Sequence, residues 1–207
     1  MRGFTLAEIL VVIAIIAVVG TIMVAIFINT LRGSNKSQVL SVIKQNGQAV
    51  LENMDKVIRG ADNVVCNTSD KKTLVVTNTD ETGKVTYTRF RLIGSTASAN
   101  GSIQQDFPVQ PTIPPKDDIT EFARVVCTDP MGTDSIIPIQ TLTDTNTQTG
   151  VSVDSSGGLF TIEPSSVSNN TVTVKFYLSP AVGAPAAIKN QVDPVVFQTT
   201  IKLRNVN

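Results

Sequence analysis

The sequence predicts an α+β fold, with one long N-terminal helix laid on an antiparallel β-sheet. Three observations carry that expectation. Residues 9–28 contain no charged side chain. Residues 36–60 place apolar side chains at helical spacing. After residue 60 the chain turns to short runs rich in Val, Thr, Ser and Asn, separated by turn residues, as in strands with one wetted face.

The first segment, residues 4–28, reads FTLAEILVVIAIIAVVGTIMVAIFI. A helix of about twenty apolar residues spans the hydrocarbon core of a bilayer. Apolar residues fall all round this helix, so it requires an apolar environment on every side, lipid or other helices. Only Met1, Arg2 and Gly3 precede it, and no small-residue cleavage site follows it, unlike a secretory signal. Glu8 stands inside the apolar run. A carboxylate there costs on the order of 2–3 kcal/mol on insertion scales, which marks it as a candidate functional residue.

Residues 36–60 continue as a helix, with Val39, Val42, Ile43, Val50, Met54, Val57 and Ile58 on one stripe. Apart from the adjacent pairs Val42-Ile43 and Val57-Ile58, the steps between them are threes and fours with a single seven. Gly33-Ser34 is a candidate bend between the two halves, and Gly60 a candidate stop. Strands are expected at Val64-Val65-Cys66, 73–78 and 84–93, with Asp80-Glu81-Thr82-Gly83 turning the last two into a hairpin. Further strands are expected at 121–128, 135–142, 158–163, 171–178 and 195–204. Residues 94–118 and 143–157 read as surface loops, and 180–194 as an irregular Ala/Pro-rich excursion.

Composition excludes several functions. Seventeen Lys+Arg balance seventeen Asp+Glu, so nothing points to nucleic acid as a partner. His is absent, which removes the commonest general base and metal ligand. Asp117-Asp118 offers far fewer oxygens than calcium needs. Ser155-Ser156-Gly157-Gly158 lacks the lysine of a phosphate-binding loop. No catalytic group, metal site or cofactor is expected, and the chain reads as a non-enzyme. Cys66 and Cys127 have two readings: a disulfide, if the domain is exported, or two buried free thiols. A disulfide closing this loop would add roughly 3–4 kcal/mol by the chain-entropy argument.

The segment Gly3-Phe4-Thr5-Leu6-Ala7-Glu8-Ile9-Leu10 resembles the processing site of the type IV pilin and type II secretion pseudopilin family. The resemblance covers the N-terminal helix. It implies a leader of residues 1–3, cleavage after Gly3 by the prepilin peptidase, N-methylation of Phe4, and an assembly role for Glu8. It also implies a transmembrane and assembly helix over 4–31, an amphipathic continuation over 32–60 and a β-rich head over 61–207. Implied partners are other pilin or pseudopilin subunits, an assembly platform protein, a cytoplasmic ATPase and inner-membrane lipid. The implied location is a single pass of the cytoplasmic membrane with the head outside, followed by an extracellular or periplasmic filament. Many major pilins carry a proline in the second half of the apolar segment; here the first proline is Pro108. That departure tilts the expectation toward a minor pilin or a pseudopilin, and the ending Phe197–Asn205 is similar to ends of J-type minor pseudopilins. The alternative is an adhesive or binding ectodomain on an uncleaved anchor. Arg32 and Lys36 follow the apolar run on what would be the outer side, against the usual bias of basic residues toward the inside.

Overall fold

A computed structural model describes residues 5–67, 71–109, 126–127, 138–154, 160–163 and 171–204. It is an α+β structure with a long apolar N-terminal helix and antiparallel sheets. Helix α1 (Leu6–Gly60) has 55 residues and is about 80 Å long. It runs through Gly33-Ser34 without a break, so the expected bend is not a helix interruption. Neither residue removes a backbone hydrogen bond as proline would. The helix stops at Gly60, where the Ala61 N–H turns back to the Ile58 carbonyl at 3.1 Å.

The strands form two sheets where one was expected. The first holds β1 (Asn63–Asn67), β2 (Thr73–Thr79), β3 (Val85–Ile93), β4 (Ser102–Asp106) and β5 (Gln140–Thr141), in that order and all antiparallel. The second is built round β8 (Thr171–Pro180). Strand β9 (Val195–Lys202) pairs along one edge of β8. Strands β6 (Val151–Asp154) and β7 (Phe160–Glu163) share its other edge, β6 at residues 177–180 and β7 at 171–174. Main-chain bonds join the sheets: Val153 N–H to Gly101 O at 3.0 Å, and Phe160 N–H to Lys71 O at 3.1 Å.

Strands β4 and β6 correct the two loop expectations at 94–118 and 143–157. Both are buried. Asp is depleted in strands and Ser and Gln are not among the favoured residues, but β4 lies between β3 and β5, where the ladder and cross-strand partners decide. At 121–128, Val126 and Cys127 are helical, not extended; the rest of that segment lies outside the described residues. So do Asp117-Asp118 and Ser155-Ser156-Gly157-Gly158. Within the 180–194 excursion, one helical turn forms at Ala186–Lys189.

The second half of α1 lies mainly on β9 and β8 and touches β6. Its buried face is Ile43, Gly47, Val50, Met54 and Ile58, at steps of four, three, four and four. These side chains meet Leu74, Phe90 and Ile103 of the first sheet and Val172, Val174, Phe176, Leu178, Phe197 and Ile201 of the second in one core. Strand β8 alternates half-buried and buried residues along its whole length, as the period of two requires. The Phe197 ring lies against Gly47, where a Cβ would overlap it, and stacks on Phe176 with centroids 5.4 Å apart.

Candidate functional site

The first half of α1 takes no part in that core. Residues 5–38 are exposed along their whole length. Seventeen large apolar side chains between Leu6 and Leu31 stand clear of the head. Burial of one such side chain is worth about 1.5–3 kcal/mol. Together they would cost on the order of 20 kcal/mol or more in water, above the 5–15 kcal/mol that holds a typical domain folded. The helix is long and apolar enough to cross a membrane, and none of its apolar window is buried in the head, so this half of α1 is not packed as a core helix. Thr21 and Thr30 satisfy their hydroxyls inside the helix, on Val18 O at 2.8 Å and Ile26 O at 2.9 Å.

At the start of this helix Thr5 and Glu8 form a capping box. The Glu8 N–H donates to Thr5 Oγ1 at 3.3 Å. Thr5 donates back to Glu8 Oε2 twice, from its backbone N–H at 2.9 Å and its hydroxyl at 3.0 Å. Two donors that a helix start leaves without partners are thereby satisfied. Both bonds to the carboxylate use Oε2. A carboxylate offers about four acceptor positions, so Oε1 can receive a further cation. Gly3 and Phe4 lie outside the described residues. Thr5 was not among the expected site residues, though Thr5-Leu6-Ala7-Glu8 carries the S/T-x-x-E signal of a capping box.

A second constellation lies on the face of the first sheet turned away from the main core. Cys66, Val75, Arg89 and Asp106 form one row in register across β1, β2, β3 and β4. Cys66 is joined to Cys127 by a disulfide, with Cα atoms 6.4 Å apart. The pair packs with Val65, Val75, Tyr87 and Val126 as a small cluster separate from the core. Burial there pushes the Tyr87 hydroxyl's pKa up. Arg89 is 2% exposed and Asp106 fully buried. Their fork is bidentate, Nε to Oδ1 at 2.8 Å and Nη2 to Oδ2 at 2.5 Å. The remaining Arg89 nitrogen, Nη1, donates to Val126 O at 2.8 Å, and Arg91 Nη2 reaches Cys127 O at 3.3 Å. Two arginines of β3 thus hold the backbone that carries Cys127. No local pattern announces this pairing, since Arg89 and Asp106 are 17 residues apart.

Among the described residues no three His, Cys, Asp or Glu side chains gather as a metal-holding group. No family model, curated protein or solved structure matches the chain.

Proposed function

We propose that this chain is a structural subunit, of the minor kind, of a type IV pilus or type II secretion pseudopilus. It is made as a membrane-anchored precursor, trimmed after Gly3, methylated at Phe4 and assembled through its N-terminal helix. The observation that carries the reading is the segment Gly3-Phe4-Thr5-Leu6-Ala7-Glu8 at the head of a helix whose apolar half is bare and whose second half is the spine of a β-rich head. A helix of this kind has two states in which its apolar surface leaves water: inserted in lipid, or packed with copies of itself.

Cleavage after Gly3 leaves a cationic amine at Phe4. In a bundle of such helices the free Oε1 of Glu8 on one subunit receives the amine of another. A charge buried in low dielectric is costly unless paired, so only the axial register that makes this pair is favoured, as a buried polar residue fixes register in a coiled coil. The Thr5 cap aims the carboxylate and leaves that oxygen available.

The test is filament incorporation of Glu8→Ala in the native host. The variant is expected to be processed to a chain beginning at Phe4 and to remain in the membrane, absent from sheared filaments or from secretion-system pseudopili. Incorporation at the wild-type level would refute the register role of Glu8.

A further inference from the structure

Arg32 and Lys36 are the residues the filament reading leaves unused. Between Glu8 and Glu52 the helix has no acidic side chain, while Arg32, Lys36 and Lys44 are cations. Among the described residues the ion pairs are Arg59–Asp55 and Arg89–Asp106, so these three cations are not neutralised within the described chain. With the head outside, as proposed above, such charges run against the usual distribution, and a contact with anionic groups at the membrane surface would favour them there.

Their position along the axis indicates which. Residues 9–31 are about 34 Å long as helix, enough for the roughly 30 Å hydrocarbon core. Each headgroup layer adds about 5–7 Å. Counted from Leu31, Arg32 lies about 1.5 Å and Lys36 about 7.5 Å further out, inside or at the rim of that layer, whereas Lys44 lies about 20 Å out. Residues 32–38 are exposed, and the head begins to cover the helix at Val39 and Leu40. The bare stretch is therefore about 10 Å long, slightly more than one headgroup layer. Arg32 and Lys36 share a face as i and i+4, and the steps from Lys36 to Leu40 and Ile43 carry that face up beneath the head. Beside Lys36 a shallow groove of about 430 Å³ is lined by Gly33, Ser37, Leu40, Ser41 and Lys44.

We infer that Arg32 and Lys36 form a binding pair for the phosphates of anionic phospholipid headgroups in the outer leaflet, seating the head directly on the membrane surface before assembly. The inference rests on the membrane-anchored reading of residues 4–31. The two cations are charge-complementary to the layer in which the helix length places them, and the Ser37 hydroxyl offers a neutral donor alongside.

The experiment uses the full chain reconstituted into vesicles of phosphatidylcholine containing a minor fraction of phosphatidylglycerol, with spin-labelled forms of each lipid reporting relative association by electron paramagnetic resonance. Wild type is expected to select phosphatidylglycerol several-fold over phosphatidylcholine at low salt, and the selectivity to collapse toward one in 1 M salt, where the Debye length is about 3 Å. R32Q/K36Q is expected to lose most of the selectivity, and K44Q to keep it. A wild-type selectivity near one, or one unchanged in R32Q/K36Q, would overturn the inference while leaving the anchor intact. Recovery of the wild-type chain outside the vesicle membrane would overturn both it and the membrane reading.

Discussion

The ring of Phe197, on the last strand, occupies the place on helix α1 where Gly47 has no side chain. The seven-residue step between Ile43 and Val50 in the apolar stripe is thus a filled position, with the filling side chain supplied by β9 and stacked in turn on Phe176. Gly47→Ala forces the ring or the helix to move. Overpacking of this kind costs about 1–3 kcal/mol, and we expect a loss of that size in urea unfolding of the head. Phe197→Ala should cost about 3–5 kcal/mol alone. If the contact is direct, Gly47→Ala should cost almost nothing in the Phe197→Ala background; additive losses would contradict it.

The buried fork between Arg89 and Asp106 makes a second prediction. Arg89→Met removes one partner and leaves a carboxylate in the interior, which costs about 3–5 kcal/mol. The double variant Arg89→Met/Asp106→Leu should regain most of that loss, because neither charge then has to be desolvated. Chemical denaturation of the three variants decides; a double variant no more stable than Arg89→Met would show that the pair's hydrogen bonds, and not its unbalanced charge, carry the effect.

Reduction of the Cys66–Cys127 bridge should lower the head's stability by about 4 kcal/mol through the unfolded chain. The bridge belongs to the outer cluster and not to the helix–sheet core. Amide protection in β8 and β9 should therefore persist after reduction under native conditions, while protection in β1 and β2 falls. Loss of protection throughout would place the bridge within a single cooperative unit.

The β2–β3 turn supplies a pH dependence. Asp80 Oδ1 accepts from the Thr82 hydroxyl at 2.5 Å and from the Lys84 and Thr82 N–H groups at 3.0 and 2.8 Å. These bonds, the Thr82 hydroxyl first, hold the Asp80 carboxyl below its usual range. A lowered native pKa means that its stabilisation is present above the unfolded value near 3.8 and is lost as pH falls through the native value. Amide exchange at Thr82 and Lys84, corrected for intrinsic rates, should accelerate below about pH 4 in the wild type. Asp80→Ala should show fast exchange at every pH.

The elements legible in the sequence were those with a local signature. The helix announced itself by twenty uncharged residues and then by an apolar stripe, and the β2–β3 hairpin by its turn residues. Strand β4 hid because its side chains, SIQQD, are mostly polar; they are buried because Asp106 meets Arg89 and the ladder closes on both sides. Strand β6 is four residues long beside a Thr- and Asn-rich stretch and takes its identity from β8. The two-sheet arrangement and the Gly47–Phe197 contact depend on residues far apart in the chain, which no periodicity encodes. At the N-terminal site, Glu8 was conspicuous as the lone charge in an apolar run, whereas Thr5 was masked by the stronger signal beside it.

A processed, assembling subunit carries the mark of its processing at the mature N-terminus, and that end of the chain gives the most direct test. Intact-mass and N-terminal analysis of the protein taken from its native membrane should find a chain beginning at Phe4 with one added methyl group. Gly3→Val should abolish that product and leave the precursor. A wild-type chain still beginning at Met1, in cells that contain the peptidase, would contradict the account; it would leave a membrane-anchored binding domain whose Glu8 has no amine to meet.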